Sequence, residues 1–282
     1  MKTVYILGAG SSISHSNSIY PDIENIFIKA VELNILNDSS KKIKNQYIDL
    51  YKYIKSILGI NILDTNKRLN FEKSFTLIEI ENQKNTSEFG ILRKQLIDIL
   101  LNVFTKLKDN IDQSSELDHN IFAKKLNYED TIISFNWDIL LEDVLGRVVH
   151  LSPYLYGGKL EKSDQSKRDN YPEENLHNLS YFDFINSRYL RNYRESEYLN
   201  VRNSFYLKLH GSVDWKICRN QFCEKYNTPL PTLYPLKYKE CDFCYENTDI
   251  LIIPPILNKV INQSPLVRIL WNIAVKEIIK TD

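Results

Sequence analysis

TVYILGAGSS, residues 3–12, carries a short apolar β-type run from Thr3 to Leu7 that ends directly in Gly8-Ala9-Gly10. Glycines after a strand let the backbone turn tightly and approach an anion, and the N–H groups of a following helix then point at it. Pro21-Asp22-Ile23-Glu24 opens a segment of helical spacing through Ile23, Ile26, Phe27, Ala30 and Val31. Strand, glycine turn and helix follow one another as a phosphate-binding loop requires. The third glycine of GxGxxG is missing and Ser12 closes the motif, so this stretch alone also fits a plain strand-to-helix turn.

Working outward, the chain reads as an α/β protein built on a Rossmann-type parallel sheet. Residues 36–126 form a helical insertion: Tyr47, Leu50, Tyr51, Ile54 and Leu58 share one face, and a helix over 88–108 points Leu92, Leu96, Leu100 and Val103 inward. A second buried strand, Thr131–Phe135, precedes Asn136-Trp137-Asp138 and a helix through Leu140, Leu141, Val144 and Leu145. Residues 159–203 are charged, tyrosine-rich and aperiodic, which fits an irregular insertion or a solvated lid. Phe205–Leu209 is a third strand ending in His210-Gly211-Ser212, and Ile250–Ile253 a fourth, stopped by Pro254-Pro255. A helix over 266–279 completes a single domain, 1–282.

Composition sets the outer bounds. The 282 residues are 43% hydrophobic and 26% charged, with 36 basic and 36 acidic side chains. That is the make-up of a folded globular chain, and its balanced charge gives no footprint for nucleic acid or an anionic membrane. No apolar run approaches the ~20 residues that span a bilayer, and the apolar stretch at the start is the length of a buried strand rather than a leader. A cytoplasmic location is expected.

The strand ends hold the candidate chemistry. In open α/β sheets, residues just past the carboxyl ends of strands face the ligand crevice. Asn136 and Asp138 there suit hydrogen bonds to ribose hydroxyls, a carboxamide or an attacking water, although Asp138 equally suits an N-cap for the next helix. Histidine as a residue type changes charge near neutrality, so His210 suits a general base, although a lone strand-end histidine is more often structural. Cys218 and Cys223, then Cys241 and Cys244, are the only cysteines. Two short-spaced pairs supply a tetrahedral four-thiolate zinc site, closed and therefore structural, within a module over 216–248.

Taken in order, GAGSS (8–12), FNWD (135–138), LHGS (209–212) and the two cysteine pairs resemble the sirtuin-like superfamily. The resemblance implies NAD+ as substrate on Gly8, Ala9, Gly10, Ser12 and Asp138, catalysis by Asn136 and His210, and Zn2+ on Cys218, Cys223, Cys241 and Cys244. Deacylases of the family follow the glycine loop with an arginine-containing segment, and HSNSIYPDIENIF (15–27) has no arginine. NFEKSFTLIE (70–79), SFNWDILLE (134–142) and LIIPP (251–255) look more like bacterial anti-phage members, which hydrolyse NAD+ to nicotinamide and ADP-ribose. Those proteins continue past a helix like the last one here into a further strand that closes the cofactor sheet. The chain stops at Thr281-Asp282, so the C-terminal part of the sheet is expected to be truncated. The expectation is therefore an NAD+ glycohydrolase of anti-phage defence, in a homo-oligomer or with a defence-system partner. The alternatives are an NAD-dependent protein deacylase and a non-enzymatic module binding ADP-ribose-type ligands or a partner chain.

Overall fold

Three apolar runs separated widely in sequence form one parallel sheet. The computed structural model describes residues 3–84, 86–108, 110–111, 117–126, 130–148, 206–218, 220–223, 229–231, 240–241, 243–253 and 265–280. Strands β1 (Val4–Leu7), β2 (Thr131–Ser134) and β3 (Tyr206–Lys208) lie in the order β1-β2-β3. The register places Leu7 beside Ser134 and Ser134 beside Lys208. Backbone bonds from Phe135 N to Leu7 O (2.9 Å) and from Leu209 N to Ser134 O (3.0 Å) carry the pairing one residue further. Gly8, Phe135 and Leu209 therefore leave the sheet at one level of its carboxyl edge, and Ala9, Asn136 and His210 follow one residue beyond it. β2 is buried along its whole length, as a central parallel strand should be.

The helix after the glycine turn is not the one the periodicity suggests. Helix α1 spans Ala9–His15 and starts immediately after Gly8, whereas α2 spans only Ile26–Glu32. Asp22 accounts for the late start of α2, because its Oδ1 accepts the N–H of Glu24 (3.0 Å) and of Asn25 (2.9 Å) and holds 22–25 as a turn. Neither Gly8 nor Gly10 has positive φ, and a Cβ on either would meet nothing within 4 Å. Bare backbone facing open space, rather than a turn only glycine can make, distinguishes these two positions.

A second sheet was only partly visible in the sequence. β4 (Gly211–Cys218) pairs antiparallel with β5 (Pro229–Pro231) on one side and β6 (Thr248–Ile252) on the other. The run read as a fourth strand thus joins this sheet. β4 itself alternates Val213, Trp215 and Ile217 with Asp214 and Lys216, a period-2 pattern masked by being buried on both faces.

The chain divides into two compact units. One comprises Met1–Ser12, Ser114–Ile253 and Val260–Asp282. It holds both sheets, α6 (Asp118–Lys125), α7 (Leu140–Val148) and the last helix α8 (Pro265–Ile279). Its core joins Ile132, Ile133, Leu207, Trp215, Val144 and Leu270. The other is helical over Ile13–Gln113, with α3 (Ile48–Leu58), α4 (Phe71–Lys84) and α5 (Thr86–Lys108). It starts before position 36, where the sequence reading opens the helical insertion. Phe27, Phe71 and Phe75 pack in series as tilted rings, and Arg93 of α5 pairs with Glu79 of α4 at 2.5 Å while lying over the Phe75 ring. Residues 159–203 and the Pro254-Pro255 stop lie outside the described residues. Among the described residues no helix is long and apolar enough to cross a membrane.

Candidate functional site

At the carboxyl edge of the parallel sheet the hydrogen-bond protons can be counted, and the count fixes Asn136. Ser11 Oγ donates to Gly8 O (2.9 Å), and Ser12 Oγ donates to Asp138 Oδ2 (2.8 Å). A hydroxyl has one proton, so both serines act only as acceptors toward Asn136. Its Nδ2 donates to each of them, at 3.1 Å to Ser11 and 2.9 Å to Ser12. The amide orientation follows, and it leaves Asn136 Oδ1 buried without a hydrogen-bond donor among the described residues. An orphaned buried acceptor costs about 1–3 kcal/mol, so such an atom points to an absent donor.

The Asn136–Asp138 turn is clamped from every side. Asn136 N donates to Ser134 Oγ (3.2 Å), and Trp137 O accepts Val213 N (2.9 Å) and Ser212 Oγ (3.4 Å). Asp138 Oδ1 accepts the N–H of Leu140 (3.1 Å) at the start of α7. Asp138 thus caps the helix with one carboxylate oxygen, as one of its two sequence readings has it, and orients Ser12 with the other.

His210 lies in an aromatic corner. Its ring meets Phe135 edge-on at 5.1 Å and Trp271 of α8 at 6.3 Å, and those two rings are 5.9 Å apart. Trp271 Nε1 donates to Leu209 O (3.1 Å), while His210 O accepts Ile253 N (2.9 Å) from the second sheet. Backbone on both sides of the imidazole is therefore fixed. Gly211 has φ +74°, and a Cβ there would sit 2.0 Å from Leu251 O, so only glycine fits behind the histidine.

Beneath the turn lies a buried ionic group that sequence reading missed. Lys208 of β3 has no exposed surface; its Nζ donates to the Asp138 carbonyl and to Glu142 Oε1 of α7 (2.5 Å). Tyr206, two residues earlier on the same strand face, also hydrogen-bonds Glu142. Burial pushes the Glu142 carboxyl up to about 7, with Lys208 opposing and Asp214 and Asp138 adding to the rise. Burial likewise holds the Tyr206 phenol well above 10. A lysine inside the otherwise apolar YLKL (206–209) and a glutamate in DILLE (138–142) were the available signals, since a charge is buried only when paired.

The four cysteines converge in the second sheet's module. Cys218 Sγ lies 3.6 Å from Cys244 Sγ and Cys223 Sγ 3.8 Å from Cys241 Sγ, with all four sulfurs within 4.8 Å of one another. Zinc–sulfur bonds of ~2.3 Å in a tetrahedron place sulfurs about 3.8 Å apart, whereas a disulfide is ~2.05 Å. The geometry and the soft donor set fit a structural metal ion and are compatible with a zinc module. Burial raises the Cys218 thiol to about 12. At Cys241 burial acts in the same direction, but backbone N–H groups of 243 and 244 and the neighbouring thiols outweigh it and lower the thiol. Backbone bonds from Cys241 N to Glu246 O (2.7 Å) and from Tyr245 N to Cys241 O (2.8 Å) close the second knuckle.

No protein-family model matches the chain, and no curated protein matches it. What the site does chemically therefore has to be argued from its own atoms.

Proposed function

We propose that this chain is a sirtuin-like NAD+ glycohydrolase, cleaving the nicotinamide–ribose bond to give nicotinamide and ADP-ribose in anti-phage defence. The observation that carries the reading is Asn136 Oδ1, a buried acceptor without a donor among the described residues, on the rim that also bears His210. A ribose hydroxyl or the attacking water supplies the missing donor. The exposed backbone at Gly8-Ala9-Gly10, with open space over both glycines, supports approach of the pyrophosphate.

In the reaction the C1′–N bond breaks and its electron pair neutralises the cationic nicotinamide ring. Positive charge then builds on the ribose, next to the Asn136 carbonyl dipole, which is oriented before the reaction begins. Water adds at C1′, and its proton passes to His210, making NAD+ + H2O equal nicotinamide + ADP-ribose + H+. The four cysteines supply no step; with Zn2+ bound they would tie the end of β4 to the 240–247 knuckle.

Incubation of the purified chain with NAD+ alone, with products identified by mass, tests the proposal. Nicotinamide and ADP-ribose should appear without a peptide, and Asn136→Ala or His210→Ala should lower the rate about 10²–10⁴-fold. A requirement for an acetylated peptide would assign deacylation instead. Thermal stabilisation by ADP-ribose with no turnover would assign a binding module.

A further inference from the structure

We propose that Lys208 is a positioning residue for this site: its buried ammonium ties the Asp138 carbonyl to the Glu142 carboxylate and so sets the turn that carries Asn136. The proposal rests on the Asn136 site being functional, but its geometry can be tested without NAD+.

A continuous chain of hydrogen bonds runs from the floor of the site to its rim. Glu142 of α7 takes Lys208 of β3; Lys208 takes the Asp138 carbonyl; the Asp138 carboxylate takes Ser12; and Ser12 takes the Asn136 amide. Each of these four links joins residues far apart in sequence, so the chain aligns α1, the turn, α7 and β3 in one arrangement. Lys208 is its central link, because its Nζ touches both the turn's backbone at the Asp138 carbonyl and Glu142 of the helix that follows. Glu142 and Tyr206 on one side and Asp138 and Asp214 on the other are the titratable groups around it. A lysine with no exposed surface depends on such buried partners to compensate its charge.

A structural role and a positioning role differ in one variant. Replacing a buried ion pair by apolar residues of similar volume is often neutral or stabilising, whereas removing one partner is not. Lys208→Met/Glu142→Leu therefore removes both charges while also deleting the bond to Asp138. Incorporation of 5-fluorotryptophan gives a local probe, since Trp137 lies between Asn136 and Asp138 and the chain's other tryptophans are Trp215 and Trp271. Each resonance is assigned by its Trp→Phe variant.

The double variant should melt close to the wild type, with the Trp137 resonance shifted and broadened and that of Trp271 unmoved. Nicotinamide release should fall about 10²-fold in kcat with KM nearly unchanged, the pattern of a misplaced reacting group. An unmoved Trp137 resonance with full kcat would show that Lys208 only balances Glu142, and would overturn the proposal. If the double variant does not fold, Lys208→Met at pH 5.5, where Glu142 keeps its proton, gives the same comparison and the same two outcomes. Glu142→Gln keeps an acceptor for Lys208 and should leave the Trp137 resonance in place; a shift as large as that of the double variant would assign the positioning to Glu142. If the wild type releases no nicotinamide, the glycohydrolase reading fails while the fluorine comparison still decides Lys208.

Discussion

Gly211→Ala puts a single methyl group where the two sheets meet behind His210. Gly211 sits at φ +74°, and holding alanine in that left-handed region costs roughly 1–2 kcal/mol. The new Cβ would lie 2.0 Å from Leu251 O and 2.9 Å from Leu251 C, both backbone atoms that no rotamer change can move aside. β4 and β6 must separate at the Gly211–Ile252 pair, at an overpacking cost of about 1–3 kcal/mol. The Ile253 N–His210 O bond sits at the same point, and its loss adds about 1 kcal/mol. The sum is about 4 kcal/mol, read by equilibrium urea denaturation with tryptophan fluorescence, since all three tryptophans lie in the sheet-containing unit. Gly59→Ala is the control, followed by circular dichroism: Gly59 has φ +65° at the end of α3, but a Cβ there meets nothing within 4 Å, so the cost is only the left-handed strain of roughly 1–2 kcal/mol. Equal destabilisation by the two substitutions would refute the clash and the tight approach of β6 to His210.

Three further outcomes follow from the site and the module. Glu142 holds its proton in the folded chain up to about pH 7 but loses it near 4.5 when unfolded. Its contribution is therefore greatest below pH 4.5 and is lost as pH rises to 7, a swing of about 3 kcal/mol at about 1.4 kcal/mol per tenfold. Glu142→Gln should gain that amount on the wild type between pH 4.5 and 7.5 in urea titrations, and parallel profiles would contradict it. Asn136→Asp keeps the shape but replaces the amide donor with an acceptor facing two serines whose protons are committed elsewhere. ADP-ribose affinity measured by calorimetry should drop about 100-fold, with stability changed by only about 1–2 kcal/mol. Cys223→Ser should abolish stoichiometric zinc measured by elemental analysis and lower the melting temperature to that of chelator-treated wild type. Wild-type protein purified without bound metal and equally stable in chelator would remove the zinc assignment.

The strands of the parallel sheet were legible because each is an apolar run ended by a residue a strand interior avoids: Gly8, Asn136 and His210. α5 was legible because Leu92, Leu96, Leu100 and Val103 repeat at helical spacing and are all buried. The cysteine cluster was legible from spacing alone. α1 was not, because Gly10, Ser11 and Ser12 are weak helix formers and the helix is held by contacts made elsewhere in the chain. β6 could not be assigned to a sheet, since LII (251–253) reads alike in parallel and antiparallel surroundings and only the pairing with β4 decides. Within the site, residue types at strand ends named Asn136, Asp138 and His210, but the proton count that orients the amide depends on Ser11 and Ser12, more than a hundred residues away. Trp271 reaches His210 from the last helix, at a distance in sequence that no local pattern encodes.

β4 begins beside His210 and ends on Cys218, so one strand of roughly 25 Å separates the rim from the cysteine cluster. The strand's regularly paired end, Lys216–Cys218, acts as a ruler of fixed length, past a register shift that separates it from Gly211. Inserting or deleting one residue within 216–218 would swing Cys218 away from the other three sulfurs. Variants of this protein that differ in length should therefore carry their insertions between Cys223 and Cys241 on either side of β5, whose pairing with β4 fixes only Pro229–Pro231, and keep the spacing from Lys216 to Cys218 unchanged. Mutant libraries that scan single-residue insertions along the chain would reveal the ruler as a gap in tolerance whose edges fall at those two residues.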